Sequence, residues 1–181
     1  KREGMKNQGE NVIWSLKKGE SPLIATAIHD GHGLRDEVAA IMKLSEQERL
    51  REQDPYTSSW VDVAETNIVA LRSRFEVDLN RPYQKAVYVT PEDCWGLDVW
   101  KERPSDEIIE RSLAEYDSYY SLIKKLFTET QEKFGKFVVF DIHSYNHHRH
   151  GADSPHEPVE ENPEVNIGTG TMNRIKWSPL V

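Results

Sequence analysis

The sequence has a single cysteine, no long apolar run and no basic cluster. Cys94 alone cannot form an intrachain disulfide, and such scarcity is typical of a reducing compartment, so we expect a cytoplasmic protein. No apolar stretch approaches the roughly 20 residues that a membrane helix needs. Residues 1–10 also lack the apolar segment of a secretory signal. We therefore expect no membrane partner.

Basic residues are outnumbered by acidic ones. Lys and Arg total 23 against 31 Asp and Glu, which gives a formal net charge of −8 over 181 residues. Because proteins that bind nucleic acid present clustered basic side chains to phosphates, this balance argues against nucleic acid as the main partner. The length suits one domain over residues 1–181, with a polar, mobile start at 1–11 and a long loop at 146–164.

Apolar periodicity predicts alternating strands and helices. Predicted strands cover 12–16, 22–28, 74–81, 85–89, 137–142 and 165–168. Predicted helices cover 36–54, 60–71 and 105–134. This alternation favours an α/β fold with a mostly parallel or mixed sheet flanked by helices.

Two of the predicted buried strands end in a histidine, His29 after residues 22–28 and His143 after residues 137–142. Because the carboxyl ends of parallel strands meet at one edge of a sheet, we expect the two imidazoles to converge. A catalytic zinc often takes two histidines and a carboxylate, and Glu37 is our candidate for the third ligand. The competing candidates are Asp36, Asp30 and His32.

Asp141 lies two residues before His143, so both side chains project to the same side of the strand. An aspartate in an apolar run needs a partner, and we predict that it orients an imidazole. Three further histidines are expected in a solvated loop. They are His147, His148 and His150.

Asn80 and Arg81 end the predicted strand at 74–81, which should bring them to the same edge of the sheet. The planar fork of arginine suits bidentate recognition of a carboxylate, so Arg81 is predicted to hold the acid group of a substrate. Arg72 and Arg74 are candidates for polarising a scissile carbonyl or stabilising an oxyanion. The alternative for each arginine is an ordinary ion pair.

Five pieces of the sequence resemble the N-formylglutamate amidohydrolase family. In chain order they are IHDGHGLRDEV, REQDPYTSSW, SRFEVDLNRP, FDIHSYNHHR and NPEVNIGTG, and they run from about Ala25 to Gly170. The pieces DLNR and DIHSY also resemble zinc carboxypeptidases, to which that family is distantly similar in fold. The resemblance therefore implies a zinc-carboxypeptidase-like (phosphorylase/hydrolase-like) fold.

The resemblance also implies a hydrolase with one zinc ion, or another divalent metal, that cleaves N-formylglutamate to formate and glutamate in histidine degradation. Its partner would be a small N-acyl amino acid. By position, His29 and His143 match metal-binding histidines, and Glu37 matches a family acid that follows the first histidine. Arg74 and Arg81 are the catalytic candidates. The substrate-binding candidates are Asn80, Arg81 and Tyr145.

Two features depart from the family pattern. Arg35-Asp36 stands where the family loop often has a proline, and no later strand supplies the glutamate that carboxypeptidase-like enzymes use as a base. The chain is then a fragment that lacks its C-terminal part, takes its base from elsewhere, or does not catalyse. The competing functions are a carboxypeptidase or desuccinylase-like metallohydrolase, and a metal- or ligand-binding module without turnover. The remaining candidates for the base are Glu157, Glu160, Glu161 and Glu164.

Overall fold

A mixed sheet organises the structure, a computed structural model that describes residues 2–3, 12–148, 153–170 and 172–179. The chain divides into two compact units, Lys1–Ser144 and Tyr145–Val181. The single domain predicted for 1–181 stays a prediction. Most of the start predicted to be mobile lies outside the described residues, as does His150.

All strands among the described residues belong to the first unit. They are β1 (Arg2–Glu3), β2 (Trp14–Lys17), β3 (Leu23–Ala27), β4 (Thr66–Ala70) and β5 (Val138–Asp141). The strand order is β1-β2-β4-β3-β5, in which β4, β3 and β5 are mutually parallel, β2 runs antiparallel to β4, and β1 runs antiparallel to β2. The predicted α/β fold with a mixed sheet is therefore confirmed. Because β3 lies between two strands and its residues are mostly buried, its sequence is nearly all apolar.

Within the described ranges, three α-helices accompany the sheet: α1 (Asp36–Ile41), α2 (Glu46–Glu52) and α3 (Asp106–Phe134). Ser105 caps α3 by accepting the Ile108 N–H, and Gly135 ends it in a left-handed conformation at φ 76°, so the helix matches the span predicted over 105–134. The buried face of α3 packs against the sheet core, where it meets Ile24 and Ile68. No helix among the described residues has the length and apolar character of a membrane span.

The helix predicted over 60–71 is wrong. A single 3-10 turn at Val61–Val63 is followed by β4, which pairs with β2 on one side and β3 on the other. The apolar spacing that indicated a helix here also fits a 3-10 turn followed by a buried strand. The helix predicted over 36–54 is two helices, because the chain extends at Met42 before α2 begins.

The strand predicted over 74–81 is also wrong. This segment is a series of turns, buried from Arg74 to Leu79 and closed by local backbone hydrogen bonds such as the Glu76 N–H to the Ser73 carbonyl at 3.0 Å. The alternation arises because apolar side chains enter the core while the polar side chains between them form buried ion pairs. No strand forms over the described residues at 85–89 or 165–168 either.

Candidate metal centre

His29, Asp54 and His143 meet at the carboxyl edge of the sheet. One ligand atom from each lies within 4.8 Å of the others. The Asp54 Oδ2 atom is 3.3 Å from His29 Nδ1 and 2.7 Å from His143 Nδ1. The histidines follow β3 and β5, which are parallel neighbours in register at Thr26 and Asp141. Two imidazoles and one carboxylate are a donor set that suits a divalent metal such as zinc.

Asp78 orients the His29 ring through the nitrogen that faces away from Asp54. Both side chains are buried, and His29 Nε2 lies 2.8 Å from Asp78 Oδ1. Burial raises the pKa of Asp78, but the hydrogen bond from His29 and the nearby cationic charge outweigh burial and hold that pKa far below its usual range. The ionised Asp78 can only accept, so Nε2 carries a proton and Nδ1 is the ring nitrogen left to coordinate a metal.

His29 Nδ1 is a buried atom without a hydrogen-bond partner among the described residues. It lies 3.3 Å from Asp54, yet the geometry is not that of a hydrogen bond. Buried polar atoms are rarely left unpaired. This ring nitrogen faces a carboxylate and a second imidazole, as a metal ligand does, so the residues present fit a divalent metal.

Asp54 follows α2 and is fixed by its own backbone. Its N–H donates to the His29 carbonyl at 3.2 Å, and its carbonyl accepts the Thr57 hydroxyl at 2.8 Å. Burial raises the pKa of Asp54, but the hydrogen bond from His143 and the electrostatic attraction of the two imidazoles prevail and lower it to about 2. Asp54 is therefore an ionised ligand candidate at neutral pH.

His143 is the most accessible member of the group, with 32 % of its side chain exposed. Its Nε2 lies 3.1 Å from Asp141 Oδ2, and Asp141 in turn accepts the Thr26 hydroxyl at 2.6 Å. Burial lowers the pKa of His143, but hydrogen bonds to Asp141 and Asp54 raise it to about 9. Asp141 thus has the orienting contact predicted for it, and without metal His143 is a cation at neutral pH.

Glu37 is not brought to this group. Its carboxylate lies 3.4 Å from Arg35 Nε and 3.5 Å from a terminal nitrogen of Arg111, because the first turn of α1 faces α3 rather than the histidines. Asp54 takes the third position. Asp30, Asp36 and His32 also lie outside the group, and His32 Nδ1 pairs with the Gln53 side chain at 2.7 Å.

Glycine fixes the loop after His29 against the end of β4. A Cβ added to Gly31 would lie 2.3 Å from the Leu71 carbonyl carbon and 2.6 Å from its oxygen. Gly33 then exchanges backbone hydrogen bonds with this segment, donating to the Leu71 carbonyl at 3.0 Å and accepting the Ser73 N–H at 2.8 Å. The glycine-rich loop therefore needs glycine for close backbone approach.

Arg74 and Arg72 are both held by carboxylates. A terminal nitrogen of Arg74 donates to Asp78 Oδ2 at 2.8 Å, and a second donates to the Glu52 carbonyl at 3.3 Å. Arg72 binds Glu115 of α3 through two hydrogen bonds of 2.8 Å. Arg72 is therefore a structural ion pair, whereas the catalytic role of Arg74 stays a prediction.

Arg81 is the more available arginine. Its side chain is one-third exposed, its Nε lies 4.0 Å from Asp78 Oδ2, and its guanidinium donates no hydrogen bond within the described ranges. Asn80 is exposed, and its backbone N–H donates to Asp78 Oδ1 at 2.8 Å. Two tyrosines of α3 support this segment from behind: Tyr116 donates to the Arg81 carbonyl at 3.0 Å and Tyr120 to the Leu79 carbonyl at 2.6 Å.

Asp78 was not singled out from the sequence, yet it joins these parts. One of its oxygens accepts from His29, and the other accepts from Arg74 and from the Tyr88 hydroxyl. A single buried carboxylate thus links a candidate metal ligand to the arginines. The available signal was an aspartate within an apolar alternation, which requires buried partners.

Tyr145 belongs to the second unit. Its hydroxyl donates to the Pro163 carbonyl, and its ring stacks on His147 with centroids 5.8 Å apart. His148 and His156 also contact each other in this unit, with ring centroids 4.3 Å apart. The substrate-binding role of Tyr145 stays a prediction.

Comparison with known proteins gives consistent matches. A family model described as N-formylglutamate amidohydrolase matches residues 21–176. The chain is 28 % identical to N-formylglutamate deformylase from Pseudomonas putida, over 93 % of this chain and 66 % of that protein. It is also similar in fold to the crystal structure of N-formylglutamate amidohydrolase from Ralstonia eutropha JMP134, with a TM-score of 0.61 and 16 % identity over 76 % of this chain and 58 % of that one. The chain thus spans less than two thirds of the length of either relative.

Proposed function

The chain belongs to the N-formylglutamate amidohydrolase family, and from that premise we propose that it is a zinc-dependent hydrolase of N-formylglutamate or a similar N-acyl acidic amino acid. The products would be formate and glutamate. The matched relative named a deformylase supports the substrate, and the His29, Asp54 and His143 group supports the metal. We extend the proposal to a role in histidine degradation in the cytoplasm, as predicted from the sequence.

The unpaired Nδ1 atom of buried His29 carries the proposal. It faces the Asp54 carboxylate, and His143 closes the group from the neighbouring strand. Three protein donors leave coordination positions free, which is typical of catalytic rather than structural zinc sites. When bound, the metal supplies Lewis acidity toward the formyl carbonyl and the attacking water.

The surrounding residues hold the donors in place. Asp78 and Asp141 each engage the Nε2 atom of one histidine, which leaves both Nδ1 atoms directed at the site. Ionised Asp54 needs no proton loss to bind a cation. Residues that orient metal ligands in this way typically change metal affinity or activity by about 10- to 100-fold when mutated.

Arg81 is the residue proposed to bind a carboxylate of the substrate, because its side chain is partly exposed and lies beside Asp78. Hydrolysis joins the oxygen of water to the formyl carbon and breaks the carbon–nitrogen bond, and a proton passes to the leaving amine. The sequence analysis leaves four glutamates as candidates for that proton transfer. They are Glu157, Glu160, Glu161 and Glu164.

A second candidate function is metal or ligand binding without turnover. One observation favours it: among the described residues, Asp54 is the sole carboxylate in the three-membered group, and no glutamate joins it. A third candidate keeps the metal but acts as a carboxypeptidase or desuccinylase.

One experiment separates these functions. Zinc-loaded protein is incubated with N-formylglutamate, N-acetylglutamate, N-succinylglutamate and a dipeptide that ends in glutamate, and released amine is measured. We expect hydrolysis of the formyl compound above all, abolished together with zinc binding in His143→Ala. His32→Ala is the matched control, because His32 pairs with Gln53 outside the group, and it should keep both properties. Stoichiometric zinc without hydrolysis of any compound would favour the binding module instead.

A further inference from the structure

We propose that Trp95 is a positioning residue of the substrate site, whose indole holds the Arg81 guanidinium ready for a substrate carboxylate. The inference rests on the proposed function in one respect, the binding of a carboxylate by Arg81. It adds a residue that neither the sequence motifs nor the proposed mechanism uses.

The indole of Trp95 lies against two guanidinium groups. The Cζ atom of Arg81 is 5.4 Å from the ring centroid, and that of Arg74 is 4.9 Å from it. Tyr88 contacts the indole edge-on with centroids 6.0 Å apart and also lies 6.0 Å from the Arg81 Cζ atom. An aromatic face within about 6 Å attracts a cation through the ring quadrupole. Trp95 and Tyr88 thus form an aromatic support for Arg81.

The two arginines depend on this support to different degrees. Arg74 is buried and is fixed by hydrogen bonds to Asp78, Tyr88 and the Glu52 carbonyl. Arg81 has only the 4.0 Å approach to Asp78 and the aromatic contacts, with no hydrogen bond from its guanidinium in the described part of the chain. Loss of the indole should therefore release Arg81 and leave Arg74 in place.

Core packing does not account for Trp95. Its residue is 58 % exposed, and its backbone is left-handed at φ 52° and ψ 27°. A bulky side chain rarely adopts this conformation, and such outliers concentrate where function requires them. The one other non-glycine residue with positive φ among those described is Tyr56, which is also an exposed aromatic. The Trp95 indole is exposed, its backbone conformation is disfavoured, and its ring contacts two guanidinium groups. These features together indicate that Trp95 serves to position an arginine.

The physical benefit is preorganisation. A free arginine side chain loses rotamer entropy when it binds a carboxylate, and a guanidinium already resting on an indole loses less of it. A guanidinium that stacks on an indole face keeps its N–H donors available for a carboxylate. Substrate affinity should therefore depend on Trp95, while the chemistry at the metal group should not.

The test compares Trp95→Leu with wild type, both zinc-loaded, in the hydrolysis of N-formylglutamate. We expect KM to rise about three- to tenfold, the range of an exposed to partly buried cation–π contact, with kcat and zinc content unchanged. Trp95→Tyr should restore most of the wild-type KM. Phe134→Leu is the matched control, because it removes a cation–π contact of 5.2 Å with Lys133 elsewhere. An unchanged KM in Trp95→Leu, or a loss of zinc along with kcat, would overturn the proposal.

Calorimetric titration with L-glutamate, the expected product, separates this inference from the proposed function. Weaker glutamate binding by Trp95→Leu than by wild type supports the inference even if neither protein hydrolyses N-formylglutamate. Equal binding, or no binding by wild type, overturns it whatever the activity. In an Arg81→Ala background, Trp95→Leu should cause no further loss, and an additive loss would show that the indole does not act through Arg81.

Discussion

His29 donates a hydrogen bond from Nε2 to Asp78 Oδ1 at 2.8 Å, and both side chains are buried. This contact fixes the proton on one ring nitrogen and leaves the other facing Asp54 and His143. The second oxygen of Asp78 accepts from Arg74 and lies 4.0 Å from Arg81 Nε. One carboxylate, that of Asp78, thus orients the candidate metal ligand His29 and also lies against Arg74 and Arg81.

Asp78→Asn should weaken zinc binding by about 10- to 100-fold without removing a ligand. An amide cannot accept from His29 and Arg74 with the strength of a carboxylate, so the imidazole loses its fixed tautomer and Arg74 loses its counter-charge. Competition against a zinc chelator measures the effect. Asp98→Asn, at a surface residue paired with Lys43, is the control and should bind zinc as wild type does. Equal affinity in the two variants would contradict the orienting role.

Zinc binding should release a proton and strengthen with pH. Since the pKa of His143 is raised to about 9 and the ligand must be neutral, affinity should rise about tenfold per pH unit between pH 7 and 9. Chelator competition at pH 7, 8 and 9 checks this slope. A pH-independent affinity over that range would contradict the arrangement of His143 between two aspartates.

The metal-free protein should show the opposite trend in stability. The folded pKa of His143 lies above its ordinary value of 6.5, so its contribution is complete below that pH and is lost as pH rises through about 9. The pKa of Asp54 is lowered from 3.8 to about 2, so its contribution holds above 3.8 and is lost as pH falls through about 2. Melting temperatures of zinc-free protein should therefore fall between pH 6.5 and 9, and His143→Gln should remove this part of the fall.

Gly31→Ala should destabilise the loop that follows His29. The added Cβ would meet the Leu71 carbonyl carbon at 2.3 Å, so the loop or the end of β4 must move. Overpacking of this kind costs about 1–3 kcal/mol, which denaturant unfolding measures. Gly168→Ala serves as the control because its Cβ would meet nothing within 4 Å. Equal stability of the two variants would show that the close approach imposes no constraint.

Arg81→Ala should raise KM for N-formylglutamate and leave kcat nearly unchanged, because it removes the grip on the substrate rather than the chemistry. Steady-state kinetics with the zinc-loaded variant measures both constants. Arg103→Ala removes an exposed arginine paired with Asp106 and should change neither. A fall in kcat at constant KM would assign Arg81 to the chemical step instead.

The sequence was sufficient to predict where the histidines lie. Both follow short apolar runs that are buried strands, and the parallel pairing of β3 with β5 brings their ends together. The long helix was equally predictable, because Ser105 and Gly135 mark its two ends.

The sequence does not identify Asp54 as a candidate metal ligand, because its position before a proline already explains an aspartate there. An aspartate before a proline ends a helix, and nothing nearby in sequence indicates that its carboxylate reaches His143, 89 residues away. Its place in the REQDPYTSSW piece of the family resemblance was the one signal available. Glu37 follows His29 closely in sequence, but Arg35 and Arg111 hold its carboxylate in the direction of α3.

The strand prediction for residues 74–81 is wrong for a different reason. Alternation of apolar and polar residues predicts a strand when one face is solvated. Here the polar side chains are buried too, with Arg74 paired to Asp78 and Glu76 paired to Arg35. The alternation therefore reflects apolar packing on one side and buried ion pairs on the other, and it does not indicate a strand. The pairing of Glu76 with Arg35 depends on a residue distant in sequence and leaves no periodic pattern.

The most direct test of the metal centre is the zinc content of purified protein for wild type, Asp54→Ala and Glu37→Ala. The structure predicts one zinc per chain in wild type and in Glu37→Ala, and its loss in Asp54→Ala. Retention of zinc by Asp54→Ala together with its loss from Glu37→Ala would contradict the His29, Asp54 and His143 site.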